Sequence, residues 1–334
     1  MTSLSALLNM ALDRRASDLH LSAGQPPVLR IDGQLHSTIA PTLTHEDIIE
    51  LLSGLLSQTQ LQTFRQALEL DFSHECPGLC RIRVHAFHHD GGAAAAVRLI
   101  PQQVSSLQTL GAPPILEELA LQTSGLVLIT GATGCGKSTT LAAMVEHRQQ
   151  QQACHIITIE DPIEFRYRSG RGLIHQREVG THTHSFADAL RAALREDPDV
   201  IVVGELRDLP SIQLALTAAE TGHLVLATLH AARADQAIDR IVDVFSTEDK
   251  ALVRTMLAQS LLAVVSQTLV ARRDGQGRVA AMEVMTATPA TRHLIRENKI
   301  AQLRSVMQSG GAQGMQTLDQ HLAVLMNQGV IMAL

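Results

Sequence analysis

The sequence predicts an α/β protein: a parallel sheet covered by helices, preceded by a smaller α+β domain. From Ile115 onward candidate strands and helices alternate, with strands near 126–130, 155–159, 200–204 and 224–229 and helices near 137–149, 186–196 and 209–221. That alternation is the signature of a parallel sheet with helical crossovers. Residues 1–100 instead mix two short helical stretches with period-two alternation. Residues 101–114 separate the two regions with three prolines, one glycine and small polar residues, and read as an interdomain linker.

Within the first region, Val28 to Leu35 reads as a hairpin turning at Asp32-Gly33. Asp47–Leu56 and Gln60–Leu68 read as helices. Arg81–Phe87 and Ala94–Ile100 alternate as strands around a turn at Asp90-Gly91-Gly92. The second domain, 115–334, opens with the alternating α/β stretch. After about residue 232 it reads as mostly helical, with a turn at Asp274–Gly277.

One motif gives the second domain its chemistry. Gly131-Ala132-Thr133-Gly134-Cys135-Gly136-Lys137-Ser138-Thr139 fits G-x-x-x-x-G-K-[ST]. The apolar run Gly125–Thr130 leads into it as a strand, and Thr139–Val145 continues as a helix. Glycines let the backbone curl so that its N–H groups face phosphate oxygens. The helix N-terminus adds partial positive charge. Lys137 suits the β/γ-phosphates and the Ser138 hydroxyl suits Mg²⁺.

Further polar residues follow the other strands, where open α/β sheets bind ligands. Glu160, Asp161 and Glu164 place three carboxylates within five residues, which a Mg-nucleotide would compensate. Glu205 follows the apolar run 200–203 and can hold Mg²⁺ through water or polarise an attacking water. His223 and His230 bracket the strand 224–229, and His230 is placed to contact a γ-phosphate. Arg81 and Arg83 share a face of one N-terminal strand and Arg98 lies on the next, a supply of guanidinium groups for phosphate.

Composition narrows the partners. Lys and Arg total 27 against 33 Asp and Glu, a net charge of -6, and aromatics amount to one Tyr, six Phe and no Trp. Neither the basic surface nor the stacking platforms of a nucleic-acid binder are prominent, so no nucleic-acid partner is expected. Cys76, Cys80, Cys135 and Cys154 form no CxxC pair and read as cytosolic thiols. His88-His89 and His182-x-His184 read as solvated or hydrogen-bonded histidines. The N-terminus lacks a signal-peptide pattern, and no apolar run is long enough to span a bilayer.

Taken together, the motifs resemble the secretion and pilus motor ATPases, in particular the type IV pilus retraction branch. Residues 131–139 match that family's Walker A box and Thr158–Phe165 its Asp box. Leu194–Glu205 matches the Walker B box and Thr221–His230 the His box. Ser17–Leu21, Arg81–Val84 and Met315–Gln320 match N-domain and C-terminal segments. Ala290–Glu297 resembles the retraction motif with two substitutions. The missing zinc-binding tetracysteine loop and the start of the chain at the shared N-domain also resemble the retraction type.

The resemblance implies a PAS-like N-terminal domain, a RecA-like ATPase core and a helical C-terminal region. It implies a cytoplasmic homohexamer peripheral to the inner membrane, acting on a membrane platform protein. ATP and Mg²⁺ would be the cofactors. Glu205, with Glu160 and Glu164, would organise metal and water; His223 and His230 would sense the γ-phosphate; Arg81, Arg83 and Arg98 would clamp the nucleotide. Rival outputs are an assembly or DNA-uptake motor of the same family, a DNA translocase, and a non-catalytic nucleotide-binding regulator.

Overall fold

In the computed structural model, residues 3–100, 104–168 and 170–332 are described. They form two compact units: Met1–Gln103 with Pro162–Arg166, and Val104–Asp161 with Tyr167–Leu334.

The first unit is built on an antiparallel sheet. Its strands are β1 (Asp18–Ser22), β2 (Val28–Ile31), β3 (Gln34–Ser37), β4 (Glu69–Cys76), β5 (Cys80–His89) and β6 (Gly92–Ile100), ordered β3-β2-β1-β6-β5-β4. The predicted hairpin turns at Asp32 (φ 49°) and Gly33 (φ 88°), two left-handed residues that match the twist of paired strands. Helices α1 (Leu4–Asp13), α2 (His45–Ser53) and α3 (Gln58–Ala67) contribute buried residues to the core under one face of the sheet. Thr44 with Asp47 and Ser57 with Gln60 form capping boxes that start α2 and α3. Leu19, Leu21, Ile82, Val84 and Val97 point into that core. Their strand neighbours Asp18, His20, Arg83, His85 and Arg98 lie on the opposite face, as the period of two requires.

The second unit opens with α4 (Ile115–Ala120), just after the predicted linker; residues 101–103 of that linker lie outside the described residues. There follow β7 (Gly125–Thr130), α5 (Lys137–Gln151), β8 (His155–Glu160), β9 (Leu173–Glu178) and α6 (Phe186–Ala193). Then come β10 (Val200–Val203), α7 (Leu209–Glu220), β11 (Leu224–Leu229), α8 (Ala234–Asp243) and α9 (Lys250–Ser260). The chain ends with β12 (Leu261–Ala271), β13 (Arg278–Thr286), α10 (Pro289–Arg296), α11 (Leu303–Ser309) and α12 (Leu318–Asn327). The sheet runs β13-β12-β7-β11-β10-β8-β9, parallel except for β13. Strands β7, β10 and β11 are buried at every position, because helices cover both faces. Leu126 and Leu128 join a core with α6, α7, α8 and α9. Val127 and Ile129 join the opposite core with α4 and α5.

The hairpin β12–β13 corrects the expectation of a mostly helical stretch after residue 232. Residues 263–267 of β12 and 279–286 of β13 are buried at consecutive positions, so neither stretch shows a clean apolar–polar alternation. Such runs do not distinguish strand from buried helix by period. Helix α12 packs on this hairpin through Leu325, and His321 accepts the Met282 N–H at Nδ1 over 2.8 Å. Burial lowers the His321 pKa below its ordinary value.

Its proton balance sets a pH dependence. Above about pH 6.5 both folded and unfolded chains hold this histidine neutral. Below it, the unfolded chain takes a proton that the folded chain refuses, so stability falls with pH by up to about 1.4 kcal/mol per unit. Thermal melts from pH 7.5 to 5.5 should show that decline, and His321→Gln, which keeps an acceptor without titrating, should make it shallower, with His20, also lowered by burial, supplying part of the remainder.

Candidate functional site

Four carboxyl ends of neighbouring strands carry the polar residues of the second unit: Gly131–Thr139 after β7, Glu160 ending β8, Glu205 after β10 and His230 after β11. Because the strands are parallel and in register, these groups share one edge of the sheet.

The loop after β7 is held tightly. Gly131 has φ 146°, and a Cβ there would stand 2.4 Å from the Gln267 carbonyl oxygen and 2.5 Å from Cys135 Sγ. Only glycine fits. Gln267, buried on β12, donates from Nε2 to the Cys135 carbonyl over 2.7 Å and accepts the Thr140 hydroxyl over 2.9 Å. Thr130 and Ser266 join β7 to β12 by a 2.7 Å hydroxyl pair. Gly136 (φ 89°) leads into α5 with no side-chain cap, so the first-turn amides remain available to an anion. Ser138 lies exposed on that first turn. Cys135 is buried; burial pushes its thiol pKa up, while Lys137 pulls the other way.

A line of polar contacts crosses the strand ends. Lys137 Nζ donates to the Gly131 and Ala132 carbonyls at 3.0 and 2.9 Å and lies 3.5 Å from His230 Nδ1. His230 Nε2 is 3.1 Å from Glu205 Oε1. A single imidazole tautomer, protonated at Nε2, serves both contacts. Glu205 Oε2 accepts from Arg207 Nε at 2.7 Å, and Arg207 Nη1 stands 3.9 Å from Asp161. Arg240 fixes the His230 carbonyl at 2.7 Å. Glu160 Oε1 accepts from Thr158 at 2.6 Å and Gln176 at 3.2 Å. The chain leaving β10 is stapled by the Thr228 hydroxyl on the Gly204 carbonyl and by Leu206 N on the Thr228 carbonyl.

Other predicted residues lie elsewhere. His223, expected with His230 as a phosphate sensor, lies at the other end of β11 from it. It precedes β11 beside Gly125, with its ring on the Ala218 carbonyl at 3.1 Å. The six-residue strand separates it from the loop edge by roughly 20 Å. Arg81, Arg83, Arg98 and Glu164 belong to the first unit. Arg81 is buried and donates from Nε to the Ile163 carbonyl at 3.0 Å. Arg83 lies 3.6 Å from Glu164 and 3.9 Å from Asp71, and Arg98 donates to Asp18 at 2.9 Å. Gln267, Thr140, Arg207, Arg240 and Gln176 were not singled out from sequence. Gln267 sits in the hairpin β12–β13, whose strands lack a local signal, and the others carry no motif signal.

The brace makes a testable case. Gln267→Ala would leave the Cys135 carbonyl and the Thr140 hydroxyl without their buried partner, a cost of about 1–3 kcal/mol. Nucleotide affinity, measured by calorimetry, should fall about tenfold or more if that cost is felt in the loop geometry.

A family model described as Type II/IV secretion system protein matches residues 1–323. The "Type IV pilus retractation ATPase PilT" of Pseudomonas aeruginosa is 51% identical over 328 residues, covering 98% of this chain and 95% of that protein. A "Twitching motility protein" of Neisseria gonorrhoeae is 52% identical over 305 residues, covering 91% and 82%. The crystal structure of the pilus retraction motor PilT with bound ADP superposes with a TM-score of 0.89 at 44% identity, covering 99% of this chain and 95% of that one. With its fold, its strand-end residues and these likenesses in agreement, the chain belongs to the type II/IV secretion system protein family.

Proposed function

We propose that this chain is a motor ATPase that drives type IV pilus retraction. The observation that carries the reading is the contact line Lys137–His230–Glu205 beside a phosphate-binding loop. It joins a phosphate ligand, a sensor and a carboxylate base within one edge of the sheet. Relatives with those printed functions match over nearly the whole chain.

The loop amides and Lys137 hold the β/γ-phosphates of ATP. Ser138 and Glu205 offer hard oxygen donors suited to Mg²⁺. These two residues would hold the Mg²⁺ that accompanies the nucleotide; among the described residues no three His, Cys, Asp or Glu side chains gather around one point. When bound, Mg²⁺ neutralises phosphate charge. Glu205, aided by Glu160, orients the attacking water and accepts its proton. His230 shares contacts with Lys137 and Glu205, so a shift of either group toward a γ-phosphate is felt at its ring. Glu164 is proposed to assist Glu205 and Glu160 in organising metal and water, and Arg81, Arg83 and Arg98 to clamp the nucleotide.

The motor works as a homohexamer in the cytoplasm, at the inner membrane, against a platform protein. Among the described residues no helix is long and apolar enough to cross a membrane.

Two variants test the chemistry. Lys137→Ala should lose ATP binding and hydrolysis. Glu205→Gln should keep ATP binding while hydrolysis falls about 100-fold or more. Turnover near the parent's in both would sink the assignment. In a deletion strain, fibres that persist while surface motility stops support retraction; absent fibres point to assembly.

A further inference from the structure

The N-terminal unit holds a cavity that the nucleotide chemistry does not use. It has a volume of about 500 Å³ and lies between α1, α2 and the turn joining β4 to β5. That is the size of an organic-ligand site. Leu4 and Leu8 of α1 and Leu51 and Leu55 near the end of α2 make apolar wall. Asp47 and Glu50, one turn apart on α2, add two carboxylates. Among the described residues no lysine or arginine lines it. His74 and Cys76 are its other titratable groups, and burial pushes the Cys76 thiol up, which keeps it uncharged. Asp47 accepts the Thr44 N–H and hydroxyl at 2.8 and 2.9 Å, and these bonds hold its carboxyl below the usual range. Glu50 is exposed.

We propose that this cavity binds a basic amphipathic segment of a partner protein, taking an apolar side chain against the leucines and a neighbouring ammonium or guanidinium group at the carboxylates. The leucine walls gain by excluding water from a hydrocarbon group. The carboxylates choose its sign: Glu50 and the remaining oxygen of Asp47 favour a cation over a neutral group and repel an anion. The cavity stays open to solvent on one side, which leaves room for a side chain still attached to its own backbone.

The probe is dansylcadaverine, a naphthalene ring on an aminopentyl chain, titrated into the full chain with excess Mg-ATP to occupy the nucleotide site. Saturable fluorescence enhancement is expected, at least about fivefold tighter than for the uncharged butyl dansylamide. Ser5→Trp, at an exposed lining position, should abolish binding by filling the cavity. Glu50→Lys should weaken it about tenfold. Unchanged circular dichroism melts show that both variants fold. A nine-residue peptide alternating leucine and lysine should displace the probe at lower concentration than pentylammonium; the reverse order would mark a free-amine site and overturn the protein partner. Equal binding of the charged and neutral probes, or unchanged affinity in both variants, would overturn the site itself.

Discussion

The placement of His230 between Lys137 and Glu205 governs how the second unit can work. Three residues from different strand ends meet through one imidazole ring, at 3.5 Å and 3.1 Å. Strands β7 and β11 end level at Thr130 and Leu229, while β10 ends at Val203 opposite Ala227, so Glu205, two residues further on, comes up beside the end of β11. The geometry also requires each loop to leave its strand in one direction. Arg240 fixes the His230 carbonyl, the Thr228 hydroxyl fixes Gly204, and Gln267 fixes the turn before Lys137. The buried strands therefore act as a rigid frame, and the polar groups at their tips inherit its precision.

The first unit solves a different electrostatic problem. Arg83 and Arg98 are direct cross-strand partners, a repulsive pair unless each has a counter-charge. Asp71 and Glu164 stand near Arg83, and Asp18 accepts from Arg98. The sequence shows three arginines on neighbouring strands; it does not show that Arg98 already has a carboxylate at 2.9 Å. An arginine so engaged exchanges one anion for another when phosphate arrives, which weakens its net contribution to binding.

Much of the second unit was legible because its signals are local. A strand, a glycine-rich turn and a helix follow one another through residues 125–151, and the acidic or histidine residue after each later strand can be read directly. Position along a strand was harder. His223 and His230 look equivalent as a pair flanking an apolar run, yet they occupy opposite ends of β11. The hairpin β12–β13 is not legible in the sequence because consecutive buried positions erase alternation, and Gln267 lies within it. Its two hydrogen bonds span 132 and 127 residues, a separation that no local pattern encodes.

The edges of the second sheet bear on how copies of the chain can associate. The outer side of β13 is occupied: Val284 and Gln316 exchange backbone hydrogen bonds at 2.8 and 3.0 Å. The other edge is β9, six residues long, whose Arg177 is tied to Glu196 at 2.9 Å. Backbone extension by a neighbour's strand is closed at one edge and confined to a short, charged strand at the other. Association through the second sheet is thereby directed to side-chain surfaces, whose contacts can form and break without opening that sheet.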